Sequence, residues 1–193
     1  RLILGYQKFE ESRNDRDFGT DSLRIRTEKV DMFSAALDLD KAIGRANIYY
    51  GIDFYTNDIQ STARIQNVDN LGFRNASEQT RYPNGRSHYT SFALYGSLVY
   101  ELSDKVKLNS GVRFNHINLK ATTLNTRALS NQLAELNLSN SAINGAFGVA
   151  YNYDEETKVS YNISSGFRAP NVDDVGKVFD VGRNLVVPNP DLK

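Results

Sequence analysis

The chain has 193 residues in which 23 basic side chains balance 23 acidic ones, so no net charge draws it toward a polyanion and nucleic acid is not expected as a partner. It contains no Cys, which removes disulfides and thiolate metal sites and leaves the redox compartment unread. No apolar run approaches the roughly 18 residues of a membrane-spanning helix, but that test does not touch a barrel, whose strands put only every second side chain into lipid.

The predicted elements follow a period of two, not the 3.6 of a helix. Leu2, Leu4 and Tyr6 make a first, weak apolar row. The chain opens on this strand without a charged leader or cleavage motif, and it is expected to begin inside a fold. Phe33, Ala35, Leu37 and Leu39 form the next row, facing Lys29, Asp31, Ser34 and Asp38 less cleanly. Ala46, Ile48, Tyr50, Ile52 and Phe54 form a third. Phe92, Leu94, Leu98, Tyr100 and Leu102 alternate with Ser91, Tyr95, Ser97 and Glu101. Val106, Leu108, Val112 and Phe114 alternate with Lys107, Asn109, Arg113 and Asn115. The clearest pattern runs over 141–153, where Ile143, Phe147, Val149, Tyr151 and Tyr153 interleave with Ala142, Asn144, Ala146, Gly148, Ala150 and Asn152. Last come Val159, Tyr161, Ile163 and Phe167, opposite Lys158, Ser160, Asn162, Ser164, Gly166 and Arg168.

The connections alternate in length. Short polar turns are expected near 40–44, 103–104 and 154–157, and long polar segments at 11–23, 59–88, 120–140 and 169–193. An outer-membrane barrel has this asymmetry, with short periplasmic turns and long extracellular loops, and a soluble sandwich has no reason for it. Strands of about 13 residues, rising roughly 3.3 Å per residue at a tilt near 40°, stand on the order of 33 Å high, enough to cross an outer membrane. Tyr100, Tyr151 and Tyr153 at one end and Tyr55 and Phe167 at the other suit interfacial girdles of aromatic rings. Gly96, Gly111, Gly148 and Gly166 fall inside strands, where glycine allows curvature or close approach. The predicted class is therefore all-β: an antiparallel up-and-down transmembrane β-barrel portion.

Two boxes close the chain: Phe167-Arg168-Ala169-Pro170 at the end of a period-two strand, and Asn189-Pro190-Asp191-Leu192-Lys193. Their order and separation resemble the barrel of TonB-dependent receptors. Pro170 lacks an N–H and so ends ladder pairing. The resemblance implies a barrel of roughly 22 strands with a plugged lumen. Residues 1–193 would supply about seven of those strands, and the plug and the remaining strands would lie outside them. It further implies location in the outer membrane of a Gram-negative bacterium, contact with its lipid, and energy delivered by the TonB complex through an N-terminal region. The cargo it implies is a scarce nutrient, first an iron chelate, with haem, cobalamin or sugars as alternatives. Haem receptors of this family place a His between the two boxes, and none occurs there, which weakens haem.

Loops carry recognition on a rigid scaffold. The segment 59–88 gathers Arg64, Arg74, Arg81, Tyr82 and Arg86, suited to an anionic chelate through charge-assisted hydrogen bonds and stacking. Arg168, on the expected lumen row, either braces a neighbour or meets the ligand. His88 and His116 read as structural. Asp173 and Asp174 lack the roughly six oxygens of a calcium site, so no metal and no cofactor is assigned. With no Ser/His/Asp constellation, phosphate loop or paired-His motif, no enzyme is expected. The competing function is an adhesion or structural barrel that displays loops without moving a substrate, which accounts for the alternation but not for the two boxes.

Overall fold

The structure is a computed structural model that describes residues 1–74, 80, 82–122, 135–176, 179–181 and 184–186. It contains the predicted antiparallel meander. The strands are β1 (Leu2–Asp15), β2 (Ser22–Ile43), β3 (Ala46–Asn67), a two-residue β4 (Phe73–Arg74), β5 (Arg86–Glu101), β6 (Val106–Thr122), β7 (Glu135–Asn152) and β8 (Lys158–Ser164). They pair in the order β1-β2-β3-β5-β6-β7-β8, with β4 against β3, so β1 and β8 are the edges of an open sheet. A one-turn helix α1 (Val172–Gly176) follows, then a separate hairpin of β9 (Phe179–Val181) and β10 (Asn184–Val186).

The short turns lie where polar residues interrupt the alternation. Gly44, at φ 59°, reverses the chain between Ile43 and Ala46, a backbone conformation that costs glycine least. In the turn between β7 and β8, Asp154 Oδ1 accepts hydrogen bonds from the backbone N–H of Glu156 at 3.0 Å and of Thr157 at 2.7 Å. The Glu156 N–H, with help from Thr157, holds the Asp154 carboxyl below the ordinary carboxylate value. A depressed folded-state pKa stabilises above the unfolded value and loses that contribution as pH falls through the folded one. Protection of the Thr157 amide, its exchange rate relative to the intrinsic rate at each pH, should therefore fall on acidification below the ordinary carboxylate range, and Asp154→Ala should remove that dependence. A Thr157 amide equally protected across the acid range would contradict this.

The register makes continuous rows on each face. On one face Leu37, Ile52, Leu94, Phe114 and Ile143 lie side by side. One step toward the short turns follow Leu39, Tyr50, Gly96, Val112 and Gly145. On β1 to β3 this apolar band extends from the row of Ala46 up to that of Tyr6, Phe33 and Thr56, whereas on β6 and β7 it runs from Leu108 and Val149 to Phe114 and Ile143 and gives way above them to His116, Asn118, Ser139 and Ser141. Ten residues of tilted strand give about 25 Å, the height of the lipid-facing band of an outer-membrane barrel. The next row, Lys8, Asp31, Asp58, His88, Lys120 and Asn137, is wholly polar. Lys8 and Asp31 are 3.7 Å apart, and Tyr6 Oη donates to Asp31 Oδ1 at 2.9 Å.

Three sequence expectations are corrected. β2 and β3 are each 22 residues long, so strands occupy much of the expected loops 11–23 and 59–88. Above the band the outward side chains meet water, so their polarity does not end the ladder. β8 stops at Ser164, which takes Phe167 off the outward row and Arg168 off the lumen row. Tyr55 belongs to no outer girdle: the alternation turns it to the opposite face, where its ring lies 6.2 Å from that of Tyr89.

Candidate functional site: the inner face

The opposite face changes character along its height. At the level of the apolar band it is polar and small. Asp38, Gly51, Tyr95, Arg113 and Asn144 form one row across five strands. Tyr95 Oη donates to Asp38 Oδ1, reaching from β5 across β3 to β2. It passes over Gly51, where a Cβ would strike the Leu37 carbonyl oxygen and the Tyr95 hydroxyl. Arg113 Nη1 lies 2.7 Å from Asp53 Oδ2, its Nε donates to Asn115 Oδ1 at 2.9 Å, and its guanidinium sits 5.5 Å from the Tyr95 ring centre. Each buried or half-buried charge is thus matched by an opposite charge or a hydrogen bond. Lower down, Asn109 and Asn162 close over Gly148, leaving no room for a side chain there.

Above the band the same face turns apolar. Val30 and Ile59 share a row with Ser87, Ala121 and Leu136, while Tyr89, Leu119 and Leu138 share the one below. Ile59, Leu119, Ala121, Leu136, Leu138 and Val172 form a buried cluster, with Val30, Tyr82 and Tyr89 packed against it. The hydrophobic phase has slipped by one residue: β6 is apolar outward at Val106, Leu108, Val112 and Phe114, then inward at Ile117, Leu119 and Ala121. The inversion has a physical cause, because a strand leaving lipid exchanges an apolar outer neighbour for water and becomes free to bury its other face. This upper wall seats two incoming segments, one through Tyr82, whose N–H donates to Ser61 Oγ at 3.4 Å, and one through Val172.

Glu28 is buried in the same region at 2% exposure, opposite Ser61 and Glu11, and neither of its oxygens has a hydrogen-bond partner among the described residues. Arg13 donates to Glu11 Oε1 at 2.8 Å, and that contact raises the Arg13 pKa, with smaller contributions from Glu28 and Tyr82.

The predicted site residues separate. Tyr82 reaches the inner wall. Arg64 and Arg86 alternate onto the outer face, with Arg86 Nε 3.4 Å from Asp58 Oδ1. The backbone of Arg74 pairs with Ile65 in the β3–β4 ladder. Arg81 lies outside the described residues, as do Asn189, Pro190, Asp191, Leu192 and Lys193. Phe167 is exposed, and Pro170 is buried. Arg168 Nη2 donates to Asp174 Oδ1 at 2.6 Å. Asp174 Oδ2 also accepts from the Asn171 N–H at 3.0 Å, while Asn171 Oδ1 accepts from the Asp174 N–H at 2.9 Å. This reciprocal cap starts α1 and ties Arg168 to it, so the box braces the fold-in of Val172. The Asn171-Val-Asp-Asp174 spacing carries the capping signal in the sequence, but nothing in it marks the link to Arg168. His88 and His116 face outward, His116 Nδ1 lying 2.8 Å from Ser141 Oγ. Among the described residues no group of three or more His, Asp or Glu is placed to hold a metal ion.

A sheet with a lipid-height apolar band outside, a charged and hydrogen-bonded face inside, and turns short at one end is a wall of a transmembrane β-barrel. Residues 1–193 match the model of the TonB-dependent receptor-like β-barrel family, and the chain belongs to that family. Among solved structures it resembles the copper transporter OprC (TM-score 0.76, 11% identity, covering 90% of this chain and 28% of that one). It also resembles the ferric yersiniabactin uptake receptor FyuA from Yersinia pestis (TM-score 0.60, 13% identity, 83% and 24% covered). A third is the ferric citrate transporter FecA in its unliganded form (TM-score 0.59, 15% identity, 83% and 23% covered). The chain thus spans about a quarter of the length of these structures, and at such identities the likeness concerns the fold. No curated protein matches the sequence.

Proposed function

We propose that this chain is part of the wall of a Gram-negative outer-membrane receptor that imports a scarce nutrient with energy from the TonB complex, and that the nutrient is an iron chelate. The observation that carries the reading is the match to the receptor-barrel family over residues 1–193, on a sheet whose outer band has membrane height. Of the three structures compared, two are named for ferric chelate uptake or transport and one for copper, which favours a metal-bearing cargo. TonB acts through a region outside these residues, and no catalytic step belongs to the barrel wall. Capture of the external chelate falls to the segment between β3 and β5, where Tyr82 reaches the inner wall, together with Arg81, Arg74 and the segment around Arg168.

In the full-length receptor, shortening residues 68–85 should lower uptake of a single supplied ferric chelate at limiting concentration while leaving membrane insertion unchanged. Deleting TonB should abolish that uptake in the unaltered receptor. Full uptake by the shortened receptor moves the binding site to the segment after Arg168. Growth on the chelate without TonB sinks the transport reading.

A further inference from the structure

The two segments that fold in over the upper inner wall share one seat. Its floor crosses four strands, with Leu138, Leu119 and Tyr89 in one row and Leu136, Ala121, Ser87 and Ile59 in the next. Val172 belongs to the buried cluster on this floor, and Tyr82 packs against the same cluster. The Tyr82 N–H reaches Ser61 Oγ at 3.4 Å, longer than an ordinary N–H···O bond, and the Gly85 N–H donates to the Thr122 carbonyl at 2.8 Å. Glu28, opposite Ser61, and Ser87, opposite Ile59, are buried with side-chain oxygens that have no hydrogen-bond partner among the described residues. Their desolvation opposes whatever keeps water from this corner. The burial of Pro83 and the packing of Tyr82 offset that cost, so segment 82–85 stays down only while the floor beneath it is well packed.

The clasp on the other segment decides whether Val172 occupies its place on that floor. A helix of five residues has too few internal hydrogen bonds to hold itself. Asp174 supplies the rest: it accepts from Arg168 Nη2 at 2.6 Å and shares the reciprocal cap with Asn171, and α1 packs against β6. Withdrawing Val172 leaves a void among packed side chains, which protein interiors fill only in part, and Tyr82 loses support from the same cluster. We propose that Arg168 is a positioning residue. Through Asp174 and Val172 it keeps the shared floor packed and thereby fixes segment 82–85, so that the two capture segments seat and unseat as one unit. That both segments meet the cargo rests on the receptor reading above, whereas the coupling between them does not.

The test is hydrogen exchange in the full-length, cargo-free receptor in lipid vesicles, read by mass spectrometry. Arg168→Gln and Val172→Ala should each lower the protection of segment 82–85 by roughly two- to thirtyfold, the range of couplings carried through packed side chains, although neither residue lies on that segment. Arg168→Lys, which keeps the single charged contact with Asp174, should retain most of the protection. Asp174→Asn, which keeps the cap and weakens the charged contact, should fall between them. The Val112 amide, in the lipid-height band, should be unchanged. Unaltered protection of segment 82–85 in Arg168→Gln and Val172→Ala overturns the proposal. An equal loss at Val112 also overturns it, because the wall would then be weakened throughout. Lowered uptake by Arg168→Gln with unaltered exchange at 82–85 makes Arg168 a direct cargo contact and overturns its positioning role. The exchange measurement contains no cargo, so its outcome is separable from failure of the transport reading, which shows as growth on the chelate without TonB.

Discussion

Leu94→Arg is expected to lower the unfolding free energy of the full-length receptor in lipid vesicles by about 2 to 4 kcal/mol, the penalty for a guanidinium near the bilayer midplane. Leu94 stands mid-height in the outer band, between Ile52 and Phe114. Val149 is outward too, but its row with Leu108 and Tyr161 lies next to the short turns. Val149→Arg should therefore cost only about 0 to 1 kcal/mol, because the guanidinium reaches the interface. Ala146, on the inner face between Gly111 and Ser164, should accept Ser with little effect. Urea unfolding of the three variants measures the contrast. Equal losses from all three would describe a two-sided soluble core.

The second large effect is expected at Gly51. Valine there must displace the Tyr95 ring and crowd the Leu37 carbonyl of the neighbouring strand, which separates the Tyr95 hydroxyl from Asp38. Overpacking and the loss of a hydrogen bond to a carboxylate together cost about 2 to 4 kcal/mol. Tyr95→Phe removes only the hydrogen bond and should cost less, and in its background Gly51→Val still meets the ring. Valine at Gly96, where a Cβ finds open space, should be far milder. If Gly51→Val and Gly96→Val are equally tolerated, the strut between β5 and β2 does not exist.

Within the bilayer the sequence was readable because lipid forces one apolar residue in two. Leu94, Val112, Phe147 and Val149 announce their face, and Gly44 and Asp154 mark turns by their chemistry. Above the bilayer that constraint ends. Asp58, His88 and Lys120 then look like loop residues, although the ladder runs through them. The correct signal was a phase shift: Ile117, Leu119, Leu136 and Leu138 keep the period of two on the other face. Nearest-neighbour register also lay beyond a one-dimensional pattern, so the reach of Tyr95 over Gly51 to Asp38 had no sequence signature. Arg64 and Arg86 were grouped with Arg81 by proximity in sequence, but alternation within long strands sends them outward. The grip of Arg168 on Asp174 depends on where β8 ends, and the alternation, which runs on through Phe167, does not mark that boundary at Ser164.

The phase inversion ties the membrane reading to the inner wall, and single-cysteine spin labelling along β6 tests it most directly, since these residues contain no native Cys. In the full-length receptor in vesicles, labels at Leu108, Val112 and Phe114 should be relaxed by oxygen dissolved in lipid and shielded from a water-soluble nickel complex. Labels at Asn118 and Lys120 should show the reverse. A label at Leu119 should be immobilised and reached by neither. Oxygen accessibility continuing with the same phase through Asn118 and Lys120, or showing no period of two below Phe114, would contradict the account.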